Sequence, residues 1–214
     1  STPILRSGNA KGPADAGDKM LSMANVARPL LILALWLLAF GDAAPAGAQP
    51  APVATVEALV GTAVVTRQAS REAVPLAVGA ELFEGDRIRT ELGSRLRLRL
   101  HDGSVLTCGE ATGLTLDETL YAPAQDTQSF LVRVSFGIVR SVVELLTPQS
   151  SYEMQTNTAV ISVRGTEWIA EVQRAATAIV SLEGEVAVRN VDPAVPGEVT
   201  LGRGEGVTVE AGTP

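Results

Sequence analysis

The chain has 214 residues, a formal net charge of −7, one cysteine and only 4% aromatic residues. That acidic balance does not favour binding the phosphates of nucleic acid, which needs a basic face. One thiol and one histidine exclude an intrachain disulfide and a Cys/His zinc cluster, so no metal or cofactor is expected.

Hydrophobic residues reach 46%, enough to bury a core, and with few aromatics that core must be mostly Val, Leu, Ile and Ala. Ser1 to Ser22 are polar and rich in Gly, Ala and Asp. They are expected to be disordered. Either the true start is Met20 or Met23, or these residues form an unusually long leader to the apolar run Leu30 to Phe40. That run reads LLILALWLLAF. As a helix it spans roughly 16 Å, short of a bilayer core near 30 Å. Arg28 precedes it and Ala46-Gly47-Ala48 comes after it, which together read as a secretory signal peptide over residues 23–48, cleaved after Ala48. An uncleaved anchor or a buried helix is the competing reading. Cleavage removes Arg6, Lys11, Lys19 and Arg28 against Asp15, Asp18 and Asp42, so the remainder is slightly more acidic. Every basic residue left is arginine. Residues 49–55 read as a linker.

From Val56 onward the dominant period is two, the signature of strands with one buried and one wet face. Short strands are expected at Val56–Thr66, Ser94–Leu100, Phe130–Val134, Ile138–Leu146, Ala159–Val163, Trp168–Val172, Ala178–Leu182, Glu185–Arg189 and Gly206–Val209. Arg140–Leu146 also fits a helix. The plainest strand is SRLRLRL, where Arg95, Arg97 and Arg99 alternate with Leu96, Leu98 and Leu100. Asp102-Gly103-Ser104 supplies hairpin chemistry before a return strand at Val105. Gly61 and Gly79 recur as Gly184 and Gly202 at the same spacing, with Val65 matching Val188, Leu76 matching Val199 and Val78 matching Leu201. This is read as a weak structural repeat whose glycines open strands at tight bends. The fold class is therefore all-β: short stacked strands in a sandwich, barrel or short β-helix.

Candidate chemistry is sparse. His101 precedes the Asp102 turn with Ser104 beside it, but neighbours on a hairpin alternate faces and cannot bond in series as a catalytic triad does. Glu183 and Glu185 share a strand face in the manner of a solvated row. Gly85-Asp86 reads as a turn in which glycine takes positive φ and Asp86 caps backbone N–H groups, with a ligand carboxylate as the alternative. In Arg164-Gly165-Thr166 the arginine is either a partly buried tie between loops or an anion contact. Cys108 reads as a small buried hydrophobe. Arg95, Arg97 and Arg99 form a cationic stripe, either neutralised by acids on neighbouring strands or offered to an anionic partner.

Four blocks carry a resemblance. They are Leu76-x-Val78-Gly79-x-x-Leu82-x-x-Gly85-Asp86-x-Ile88-x-Thr90, then Asp102-Gly103-Ser104-x-Leu106, then Thr156 to Trp168 with Val163-Arg164-Gly165-Thr166-Glu167, then Leu182-Glu183-Gly184-Glu185-Val186-x-Val188. In this order they resemble the FecR domain, over residues 56–212. Asn157 stands where the family usually has proline. The resemblance implies an all-β domain in which Gly79, Gly85, Asp86, Asp102, Gly103, Ser104, Arg164, Gly165, Thr166 and Gly184 shape turns. It further implies a periplasmic role, since members of the family carry signals from outer-membrane receptors to sigma factors through an inner-membrane helix. This chain departs from them in the expected lack of an anti-sigma segment, of a spanning helix after signal cleavage, and of a further signalling domain. The expectation is a non-enzymatic, stand-alone sensing or regulatory module of the periplasm. Its partner is an envelope or periplasmic protein and not nucleic acid. The alternative is a structural or carbohydrate-binding module of the envelope, with a glycan as partner.

Overall fold

Alternating side chains on the segment Arg95–Leu100 put Leu96, Leu98 and Leu100 inside at 0, 0 and 2% exposure, with the three arginines in solvent. The same period builds the rest of the molecule. A computed structural model describes residues 51–122, 127–144 and 151–212, all within the unit Pro50–Pro214. The signal segment and the stretch before it lie outside the described residues. So do residues 145 and 146 at the end of the expected strand Ile138–Leu146.

The described residues form strands and no helix. In chain order these are β1 (Ala54–Val60), β2 (Ala63–Thr66), β3 (Ala73–Pro75), β4 (Glu81–Leu82), β5 (Arg87–Thr90), β6 (Arg95–Leu100), β7 (Val105–Cys108) and β8 (Gly113–Ala122). They continue as β9 (Thr127–Val142), β10 (Ser151–Gln155), β11 (Ala159–Val163), β12 (Glu167–Val172), β13 (Ala176–Glu183), β14 (Val186–Asn190), β15 (Glu198–Leu201) and β16 (Gly206–Glu210). One sheet runs β4-β1-β6-β7-β9-β12-β13-β16. The other runs β3-β2-β5-β8-β9-β10-β11-β14-β15. Pairing is antiparallel except between β9 and β10.

Strand β9 belongs to both sheets. Its first part pairs with β8 and β10, its last part with β7 and β12. The passage occurs at Gly137, at φ +102° and packed so closely on Thr112 that no Cβ fits. Two expected strands, Phe130–Val134 and the start of Ile138–Leu146, are thus one bent strand, and the helical alternative for Arg140 is replaced by strand pairing with β12. Conversely, the expected strand Val56–Thr66 is two, because Gly61 at φ +77° turns the chain from one sheet into the other.

The inward faces share one apolar core that includes Val65, Leu82, Leu106, Leu116, Ile161, Trp168 and Ile179. Phe130 and Tyr152 stack within it at 6.1 Å between ring centroids. The glycine repeat has a structural counterpart. Gly61 and Gly184 both take left-handed φ, and each passes the chain from the first sheet (β1, β13) to the second (β2, β14). Each is followed by a hairpin in the second sheet and a return to the first, so the two copies, β1–β4 and β13–β16, supply the outermost strands.

Candidate functional site

The motif residues resolve into turn chemistry. Asp86 is 2% exposed, and its Oδ2 accepts the Phe83 N–H at 2.9 Å and the Arg67 guanidinium at 2.5 Å. Arg67 also donates to the Glu81 carbonyl and lies 5.3 Å from the centroid of the Phe83 ring. Both lone-pair directions of that oxygen are therefore directed at the fold, and Gly85 beside it sits at φ +79°. Asp102 accepts the Ser104 N–H and hydroxyl, each at 2.9 Å, and the Ser104 hydroxyl oxygen accepts the Glu144 N–H at 3.2 Å. Burial raises the Asp102 pKa, and the Ser104 hydrogen bonds oppose the rise. His101 is exposed, and its backbone N–H donates to Val53 O at 3.0 Å.

Thr166 is buried and its carbonyl accepts the Val143 N–H, while Gly184 packs against it too closely for any Cβ. The partly buried position expected for Arg164 is corrected: Arg164 and Gly165 are both exposed. The reason is topological. β11 belongs to the second sheet and β12 to the first, so residues 164 and 165 lie at a corner between them, and Gly165 at φ +63° makes the turn. Gly79 takes φ +85° and donates its N–H to Val56 O. Cys108 is buried, and burial pushes its thiol up to about 12.

The cationic stripe lies on the outer face of the first sheet, and its three members differ. Glu57 on β1 reaches both Arg97 (2.5 Å to Nε) and Arg99 (2.7 Å to Nη2). The two guanidiniums, Arg99 first, hold the Glu57 carboxyl below its ordinary pKa range, and Glu57 raises that of Arg99. The cause is a bulge: the β1–β6 register shifts between Val56 and Ala58, leaving Glu57 as the extra residue. Arg95, among the described residues, makes no ion pair. It stands directly opposite Val60, which is 65% exposed, and beside Gly109 and Ile138, the latter 49% exposed. Gly109 has no side chain, so a shallow depression opens there, extended by Thr107, Arg140 and Ile169. Arg140 itself is held by Glu167 at 2.5 Å. The face thus presents one uncommitted cation beside a small apolar patch, bordered by cations already neutralised. The described residues contain no cluster of His, Cys, Asp and Glu able to hold a metal.

Sequence reasoning missed this patch. Val60 and Ile138 are far apart in the chain, and only the pairing of β1, β6, β7 and β9 brings them to either side of Arg95.

The described residues thus form an all-β domain of paired sheets with turn-shaping motifs and a charged outer face. The sequence model of the family described as FecR protein matches residues 86–187, and this segment of the chain is a FecR domain. No curated protein matches the chain. Among solved structures, two crystal structures of a candidate anti-sigma factor from Parabacteroides distasonis are similar, at 16% and 18% identity and a TM-score of 0.48 each. Each match covers 59% of this chain and 55% of that protein, so the chain spans about half of its length. The FecR match supports a regulatory class of protein. No helix of the described residues is long and apolar enough to cross a membrane.

Proposed function

We propose that the chain is a non-catalytic regulatory module, exported to the periplasm, that acts by contact with another protein of the envelope. The observation that carries this reading is the Arg95 patch: a guanidinium with no ion pair among the described residues, flanked by Val60 and Ile138 exposed on an outer sheet face. Arginine beside exposed aliphatic side chains is the composition of a protein contact, since the cation gives orientation and the apolar area gives affinity. The FecR domain supports a signalling context for that contact. The buried Asp86 and Asp102 serve turns in this reading and hold no ligand.

The test compares wild type with Arg95→Ser and with the Arg97→Ser/Arg99→Ser pair, each used as bait on periplasmic extract, with the retained species identified by mass spectrometry. The proposal expects a specific protein to be retained by wild type and by the double variant and lost with Arg95→Ser. Retention of a polysaccharide instead, unaffected by Arg95→Ser, would favour a carbohydrate-binding module of the envelope. N-terminal sequencing of the periplasmic species tests the export step, with Gln49 as the expected first residue.

A further inference from the structure

We propose that the open end formed by β15 and β16 is a strand-addition site for an extended, cationic segment of a partner protein. It is separate from the Arg95 face and does not depend on it.

Both outermost strands at this end are unpaired on one side among the described residues: β16 pairs only with β13, and β15 only with β14. The direction of their backbone groups follows from register. Ser181 donates its N–H to Glu205 O and Ala211 its N–H to Ala175 O, each bond joining directly opposed residues of the β13–β16 ladder. Opposed pairs in an antiparallel ladder alternate between bonded and non-bonded. Val207 and Val209 therefore bond to β13, and the peptide groups of Gly206, Thr208 and Glu210 are directed away from it. The Asn190 amide meets one of these, the Glu210 carbonyl, at 3.4 Å. On the other sheet, Val191 N–H to Thr158 O fixes the same phase for β14. The peptide groups of Glu198 and Thr200 in β15 then face outward as well.

The side chains between these edges are core side chains left uncovered. Val199 stands opposite Val188, which is 2% exposed, yet Val199 itself is 50% exposed. Val207 and Val209 pack on the core but are only partly buried. With Val195 and Pro196 they line a cleft of about 270 Å³ between the two edges. The other end of the sheets differs. There β4 has only two residues, β3 ends in Pro75, and Leu76 and Leu82 are buried at 7% and 0% exposure. Short strands and proline are the usual protections of a sheet edge. β16, with five residues, has neither, and β15, with four, has no proline.

Charge identifies the occupant. Glu198 and Glu210 line the cleft without an ion pair among the described residues, and the one cation there, Arg189, already faces Glu153 at 3.9 Å. A strand added to β16 and alternating apolar and basic residues would turn its apolar side to the three valines and its basic side to the outer face beside Glu210. A second copy of this acidic end would set like charges together.

The probe is a fluorescein-labelled peptide of about seven alternating lysine and valine residues, titrated into the full chain by anisotropy. Two comparison peptides are used, one N-methylated at alternate backbone positions and one with glutamate in place of lysine. Thr208→Pro is the protein variant, because residue 208 directs its N–H outward and proline there leaves the β13 ladder intact. The expected result is saturable binding of the lysine peptide, weakened about tenfold or more by Thr208→Pro, by N-methylation and by the glutamate exchange. Thermal midpoint should be unchanged in the variant. If it is not, the N-methylated peptide on wild type decides alone. Absence of binding, or equal binding of plain and N-methylated peptides, overturns the proposal. So does a wild-type dimer in sedimentation that Thr208→Pro converts to monomer, which would assign the edge to a second copy.

Discussion

Replacing Asp86 by alanine removes one oxygen that serves two donors, and the cost can be worked out from the geometry. The Phe83 N–H, which donates to Oδ2 at 2.9 Å, loses its acceptor in a half-buried turn. Leaving such a donor unmet costs about 1–3 kcal/mol. Arg67 loses its carboxylate partner but keeps the Glu81 carbonyl and the Phe83 ring, and its side chain is 28% exposed. Solvent screening therefore limits that contribution to about 1 kcal/mol or less. The sum is about 1–4 kcal/mol, at about 2–4 °C of midpoint per kcal/mol for a domain of this size. Asp86→Asn keeps an acceptor for the Phe83 N–H and gives up only the charge, so it should cost about 1 kcal/mol. Urea unfolding followed by circular dichroism measures all three proteins on one scale. Equal losses for Asp86→Ala and Asp86→Asn would show that the ion pair, not the backbone cap, dominates, and would refute the reasoning.

Other consequences rest on single residues. Burial raises the Asp102 pKa, so the folded state binds this proton more tightly than the unfolded chain. Its contribution to stability must fall as pH rises from the ordinary aspartate range through the raised value. The stability difference between wild type and Asp102→Asn, measured by denaturant from pH 3 to 7, should show that slope; a flat difference would sink the assignment. Gly79 and Gly184 both occupy left-handed backbone, but only Gly184 is crowded, by Thr166 and the Gly165 carbonyl. Gly79→Ala should cost about 1–2 kcal/mol from backbone strain, and Gly184→Ala more; equal costs in thermal unfolding would contradict the packing argument. The Cys108 thiol, fully buried and pushed up to about 12, should resist Ellman's reagent at pH 8 until denaturant is added.

Much of this fold was legible in the sequence because a strand's side chains alternate by geometry alone. RLRLRL could bury leucine only as a strand, and Asp-Gly after it could only turn back, which β6 and β7 bear out. The same signal failed for β5, β10 and β15, which at four or five residues are too short for an alternation to stand out; β10 offers only Tyr152 and Met154. It also failed at Gly137, where one glycine lets a strand change sheets without a loop. The FecR blocks could be read for the same reason as the turns: glycine and aspartate act locally, on their own backbone and the next few residues.

The charge stripe shows the limit. Three arginines on one face follow from period two, but which of them lacks an acid depends on Glu57, 42 residues from Arg99 in the chain. A bulge in β1 places that carboxylate, and nothing local in either segment records it. The open end is beyond sequence reading for a related reason. Val199 carries the pattern of a core residue, and its strand differs from an interior one only in having no described neighbour beyond it. Whether an inward-facing valine is covered depends on the order of strands in the sheets, and that order is settled by long-range pairing rather than by any residue's own neighbours.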